Sequence, residues 1–228
     1  MTTMSEENPT TALPSKKSWR ENYLTQGWLM LVLALGFGAI LASVQLALGP
    51  AIAANKRNET FSKVPELVWG RELAAKMAVE EQTLSIETRN LPVTHNGQTA
   101  YYRVYDAAWN GKRAGWVVQT AGQGYADRIE LLLGLSPDAE RITGLFVLDQ
   151  KETPGLGNKI SADQWRGQFI GKATAVPLAV VKRAADQPQQ IDAITGATIS
   201  SRSVTQIVNQ TLADLKTDLA GAAGKAAP

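Results

Sequence analysis

The chain has 228 residues and a formal net charge of +2, with 23 Lys and Arg against 21 Asp and Glu. It holds no cysteine and one histidine, His95, which excludes a disulfide scaffold, a zinc finger, a multi-histidine metal site and any iron–sulfur cluster held by the chain's own thiolates. The near-neutral balance gives no basic stripe of the kind that nucleic acid requires, and the length suits one domain with appendages.

Residues 1–18 are polar and hold Pro9 and Pro14, the composition of a disordered tail. Charge is then absent between Glu21 and Lys56. Within that stretch, Gly27–Ala54 has only Ser43 and Gln45 as polar side chains, and it exceeds the roughly 20 apolar residues that a helix needs to cross a bilayer core. Trp19, Tyr23 and Trp28 stand at its N-terminal edge, where aromatic residues favour the membrane–water interface. Gly36 and Gly38 are tolerated in such spans, and Gly49-Pro50 reads as the stop. No polar face supports a buried core helix. Ala51-Ile52-Ala53 resembles a signal-peptide cleavage site, but the apolar run is longer than the usual signal core, so an uncleaved anchor over 23–54 is preferred, with a tail over 1–22. Lys16, Lys17 and Arg20 before the span balance Lys56, Arg57 and Lys63 after it, which leaves the positive-inside count tied.

Residues 55–82 have a helical composition interrupted at Pro65 and Gly70, and form an expected connector. From Thr83 the texture changes to strands. Leu84–Glu87 alternates, Thr99–Asp106 and Gly115–Thr120 are rich in Tyr and Val, and Ile129–Leu135 pairs with Ile142–Leu148 across a turn as a buried hairpin. Ser161 is expected to cap a helix, and Pro177–Lys182 to form a short late strand. Val204, Ile207, Val208, Thr211, Leu212, Leu215 and Leu219 recur at three- and four-residue spacing, which predicts an amphipathic helix from about Ser200 to Leu219 with a frayed tail over 221–228. The fold expected for residues 83–220 is α+β, a mostly antiparallel sheet with packed helices.

Two segments carry chemistry. In the first, Glu152-Thr153-Pro154-Gly155-Leu156-Gly157, proline followed by glycine is a type II turn signature, and the glycines let backbone approach a flat ligand; the plain alternative is a strand-to-helix turn. The second runs from Asp192 to Ser201 and leads into the amphipathic helix. It holds Thr195, Gly196, Ala197, Thr198, Ser200 and Ser201, and a helix N-terminus offers unpaired N–H groups to a phosphate. Capping by Ser200 or Ser201 accounts for one hydroxyl but not for Thr195 and Thr198 around Gly-Ala.

Asp192-x-x-Thr195-Gly196-Ala197-Thr198-x-Ser200 resembles the signature of flavinylated FMN-binding domains, and Glu152–Gly157 is similar to a second segment of that family. The resemblance implies FMN joined through its phosphate to Thr198, installed from FAD by a flavin transferase that acts outside the cytoplasm. With the N-terminal span, the plan is similar to the G subunits of Rnf-type electron-transport complexes. That implies a single-pass protein of the bacterial inner membrane, with a cytoplasmic tail and a periplasmic domain. It would be an electron relay between neighbouring membrane and peripheral subunits of an ion-translocating ferredoxin/NAD oxidoreductase, and not a complete enzyme alone. The resemblance supplies no metal site and no catalytic residue.

Within that frame Leu156 is expected to cover the flavin ring, Gly155 and Gly157 to offer backbone groups, and Asp192 either to order the loop or to make an Asx-type turn. Trp165 is a stacking candidate or, in the blander view, a core residue. Lys151 and Lys159 are charges that favour a reduced flavin or are merely solvated, and His95 has no assigned role. Two other classes stay open: the C-type subunit of a sodium-pumping NADH:quinone reductase or another anchored FMN-domain protein, and a non-redox anchored scaffold.

Overall fold

A computed structural model describes residues 23–80, 84–95, 98–182 and 185–223. The expected tail over 1–22, residues 96–97 and the last residues 224–228 lie outside the described residues. The chain divides into two units, residues 1–54 and 55–228. Of the first unit, the described part is the opening stretch of helix α1 (Tyr23–Trp69). It is long and apolar enough to cross a membrane by length and composition. Trp28, Leu31, Phe37, Leu41 and Leu48 are all exposed on it, and Ser43 returns its hydroxyl to the Ala39 carbonyl at 2.8 Å, the usual way a helix silences a hydroxyl.

Gly49-Pro50 does not stop this helix, and neither does Pro65. A proline inside a helix removes one hydrogen bond and costs about 3 kcal/mol. Around Pro50, Ala51, Ala53 and Ala54 are strong helix formers. Around Pro65, Val64, Leu67 and Val68 are buried against the sheet described next. The helix ends instead at Gly70, whose φ of +79° leaves the helical region, and a short exposed helix α2 (Arg71–Val79) follows.

The second unit is built on a five-stranded antiparallel meander in the order β1-β2-β3-β4-β5. The strands are β1 (Ser85–His95), β2 (Gln98–Trp109), β3 (Lys112–Gln123), β4 (Arg128–Leu135) and β5 (Ile142–Asp149). Both faces of its centre are covered, which is why Trp116–Val118 in β3 and Leu131–Leu133 in β4 are consecutive apolar residues rather than a clean alternation. On one face Val118, Ile129, Leu131 and Leu133 pack beneath α4 (Thr198–Ala223); on the other, Val117 and Leu132 meet Val64, Leu67 and Val68. The helix on that second face sits close: Thr143 Oγ1 donates to the Leu67 carbonyl at 2.6 Å, and a Cβ on Gly134 would lie 2.5 Å from that carbonyl oxygen.

The two sheet edges are finished differently. At β1, Glu87 and Arg89 are exposed and Pro92 lies in register with Tyr101. At β5, the Ile142 N–H and C=O bond Lys172 and Gly171, and the Arg166 guanidinium donates to Leu145 O at 2.6 Å. Arg166 comes from α3 (Asp163–Arg166), which begins after Ala162 with no side-chain cap. The expected cap Ser161 instead closes a 3₁₀ turn over Gly157–Ser161, and its carbonyl is held by Arg166 Nε. Pro177–Lys182 contains β6 (Ala179–Val181), which pairs in parallel with β7 (Gln190–Asp192), a strand the sequence did not announce.

All seven residues of the C-terminal stripe, Val204 through Leu219, are buried. Polar contacts then fix the helix lengthwise: Thr211 Oγ1 donates to Thr120 Oγ1 at 2.8 Å and the Tyr102 hydroxyl to Asp214 at 2.6 Å. At its far end, Arg113 grips the buried Asp106 carboxylate with two nitrogens at 2.9 and 3.0 Å and donates to Ala222 O. This satisfies one of the orphan carbonyls of the last turn, and it carries α4 to Ala223, three residues into the expected tail.

Gly134→Ala should lower stability by about 1–3 kcal/mol through forced overpacking against Leu67. Gly167→Ala, where an added Cβ meets nothing within 4 Å, should stay within about 0.5 kcal/mol. Denaturant unfolding of the full chain in detergent compares the two.

Candidate functional site

The two motif segments, far apart in sequence, meet at the start of α4. The first follows β5 directly. Its turn is formed as expected: Leu156 N–H donates to Thr153 O at 3.2 Å, and Gly155 has φ +76°. The second makes a turn of the same kind. Ala197 N–H donates to Ile194 O at 2.9 Å and Gly196 has φ +83°, a conformation that L side chains resist. Leu156 leans on this second turn, since a Cβ on Gly196 would lie 3.0 Å from Leu156 Cδ2.

Glu152 joins the segments from beneath. Its side chain is buried at 4% exposure. One carboxylate oxygen accepts the Ser200 hydroxyl at 2.5 Å, across 48 positions of sequence. The other accepts the backbone N–H of Ala126 at 3.0 Å, in the β3–β4 turn where Gly124 N–H also bonds Asp127 O. Gly157 lies against this arrangement: a Cβ there would stand 2.8 Å from Glu152 Cβ and 3.0 Å from Ser200 Oγ. Its missing side chain makes room for the Glu152 carboxylate inside the domain.

The remaining motif residues divide by exposure. Thr153, Pro154, Gly155, Leu156, Thr195 and Gly196 are exposed, Thr198 is half-buried, and Ala197, Ser200 and Ser201 are buried. Ser201 lies inside the helix rather than capping it; its hydroxyl donates to Ala197 O and accepts Ile194 N–H, both at 3.0 Å. Among the described residues the N–H groups of Thr198, Ile199 and Ser200 have no backbone acceptor, the ordinary state of a first helical turn.

Asp192 is not used in an Asx turn toward α4. Its carboxylate accepts Ala185 N–H at 2.9 Å, its N–H bonds Gln168, and its carbonyl accepts Trp165 Nε1, so it orders the chain leading up to the motif. Trp165 is a core residue, buried and edge-on to Phe169. Lys151 pairs with Asp127 at 3.2 Å, and the Arg128 N–H together with Lys151 holds the Asp127 carboxyl below its ordinary range. Lys159 is exposed, and His95 closes β1 opposite Gln98. What the sequence reading missed is the β3–β4 turn as a third segment of the site. It carries Tyr125, 61% exposed; in the other two segments Leu156 is 44% and Ile199 55% exposed. The only signal was a glycine-and-aspartate break between two apolar runs.

The chemistry of this surface fits an FMN. A helix N-terminus with free N–H groups and a threonine hydroxyl suits the phosphate end, and three exposed apolar side chains suit an aromatic ring. Residues 124–213 match the family of the FMN-binding domain, and the fold is shared with a solved structure. NqrC of Shewanella oneidensis superposes with a TM-score of 0.58 at 19% identity, over 73% of this chain and 97% of that one. By sequence, the chain is similar to the G subunit of the Na(+)-translocating ferredoxin:NAD(+) oxidoreductase complex of Acetobacterium woodii. The two are 41% identical over 111 residues, 48% of this chain and 53% of the relative. It is also similar to the G subunit of the proton-translocating ferredoxin:NAD(+) oxidoreductase complex of Clostridium ljungdahlii, 38% identical over 117 residues, 51% of this chain and 62% of the relative. The chain thus spans somewhat over half the length of these relatives.

Gly157→Ala should cost about 1–3 kcal/mol by crowding Glu152 and Ser200. Gly155→Ala, which meets open space but keeps a positive φ, should cost about 1 kcal/mol of backbone strain. Unfolding midpoints of the two variants in the full chain should rank in that order.

Proposed function

We propose that this protein is the membrane-anchored, flavin-carrying G-type subunit of an Rnf-type ferredoxin/NAD oxidoreductase complex that moves ions across the bacterial inner membrane. In this reading residues 23–54 span the membrane, residues 1–22 are cytoplasmic, and residues 83–220 form the periplasmic domain. The observation that carries it is the position of Thr198. This hydroxyl stands in the first turn of α4, beside the turn that Leu156 overlies, within the segment that matches the FMN-binding family.

Attachment forms a bond between Thr198 Oγ and the FMN phosphorus of FAD, breaks the pyrophosphate bond to release AMP, and frees the hydroxyl proton. A free threonine hydroxyl is a weak nucleophile and needs an outside base, here assigned to the flavin transferase. The chain's residues do the holding. The N–H groups of Thr198, Ile199 and Ser200, with the positive end of the helix behind them, would hold the phosphodiester charge. Tyr125, Leu156 and Ile199 offer apolar surface to the ring. Bound FMN supplies reversible acceptance and release of electrons, and the protein sets where that happens. Neighbouring subunits of the complex are the electron donor and acceptor.

The C-type subunit of a sodium-pumping NADH:quinone reductase shares the fold, but the 41% identity to a G-type relative against 19% to NqrC favours the G-type reading. Co-expression of the full chain with a flavin transferase tests the attachment. The wild type should give in-gel flavin fluorescence and an FMN mass adduct on the 192–202 peptide. Thr198→Ala should lose both, and Thr195→Ala should keep the adduct. Fluorescence that persists in Thr198→Ala sinks the attachment site, and a wild type without adduct favours a scaffold.

A further inference from the structure

We infer that Glu152 is a positioning residue of the flavin site and not a flavin ligand: it is the latch that makes one rigid surface out of three separate segments. The inference rests on the flavoprotein reading above.

The geometry leaves the carboxylate little freedom to do anything else. It is nearly fully buried, and each oxygen already has a donor, the Ser200 hydroxyl at 2.5 Å and the Ala126 N–H at 3.0 Å. Two glycines are spent on housing it. A Cβ on Gly157 would press on Glu152 Cβ, and one on Gly124 would collide with Glu152 Oε1. The three segments it joins are those that expose apolar side chains at the site: the β3–β4 turn with Tyr125, the segment after β5 with Leu156, and the first turn of α4 with Ile199. Each is a short irregular stretch or a helix end, and such pieces fray unless tied down. Lys151–Asp127, at 3.2 Å and largely exposed, is a second tie between the first two, but a solvated pair of this kind contributes little.

Both partners of the latch are neutral, a hydroxyl and a backbone amide, so the tie is one of hydrogen bonds and does not require a charge. That gives it a signature. In Glu152→Gln the amide oxygen accepts Ala126 N–H, and the amide N–H₂ donates to Ser200 Oγ. Glu152→Ala loses both bonds and leaves a buried N–H unpaired. Ser200→Ala cuts only one arm.

The test uses full-length protein matured by co-expressed flavin transferase and purified in detergent. It reads three quantities: the FMN adduct by mass, the visible-region circular dichroism of the flavin, and the unfolding midpoint. Because the Thr198 hydroxyl is intact in every variant, the adduct should form in all of them. The flavin dichroism per adduct should fall at least twofold in Glu152→Ala, fall less in Ser200→Ala, and stay near wild type in Glu152→Gln. Wild-type dichroism in both Glu152→Ala and Ser200→Ala would overturn the latch. So would a Glu152→Gln protein as disordered as Glu152→Ala, which would mean that the charge itself is needed. Should Glu152→Ala fail to fold, the Ser200→Ala and Glu152→Gln pair decides by the same two criteria. A wild type with no adduct overturns the flavoprotein reading and the latch with it, whereas adduct with unmoved dichroism overturns the latch alone.

Discussion

Burial of the α4 stripe against the sheet is the constraint on which the candidate site depends. Six aliphatic side chains and Thr211 lock the helix over β3 and β4, each large apolar side chain adding about 1.5–3 kcal/mol. Thr211–Thr120 and Tyr102–Asp214 set its position along the strands, and Arg113 holds its last turn. With the body of the helix fixed, its first turn is carried to one end of the sheet, where the Ser200–Glu152 hydrogen bond ties it down beside Thr198.

The same logic runs through the loops. The segment after β5 and the β3–β4 turn hang from strand ends that the sheet already places. Glu152 then ties them to the start of α4. The domain is a rigid scaffold that delivers three irregular segments to one spot. In the proposed function the reactive group is brought in from outside. The chain then needs no cysteines or cluster of imidazoles, only a hydroxyl, a helix end and apolar cover.

Much of this was legible in sequence. The strands of the meander announced themselves because both sheet faces bury apolar side chains, so Ile129–Leu135 and Ile142–Leu148 read as apolar runs broken only by Glu130 and Thr143. The α4 stripe was legible because its seven positions follow helical spacing. Boundaries and caps were not. Pro50 and Pro65 are local breakers overruled by their neighbours and by packing, and Ser161 is not the cap because α3 begins two residues later, which puts Ala162 at that position. β7 is three residues long and exists only because β6 lies beside it. At the site, the motif residues were visible but their division of labour was not. That Gly157 serves Glu152, that Ser201 serves the 194–197 turn and that Asp192 faces backwards are facts of three-dimensional packing. Tyr125 escaped notice because nothing local distinguishes it from any residue in a hairpin turn.

The treatment of the two sheet edges bears on what happens when many copies of this domain are crowded together. An open edge is a template on which a second strand can grow, and sheets left with one tend to stick to each other. At β5 the edge is roofed by Arg166 and the segment around Lys172. At β1 it is left bare but spoiled for pairing by exposed Glu87 and Arg89 and by Pro92, which has no N–H to give. Among the described residues both edges of the five-stranded sheet thus carry features that disfavour the addition of a strand, which works against its seeding aggregation at high local concentration.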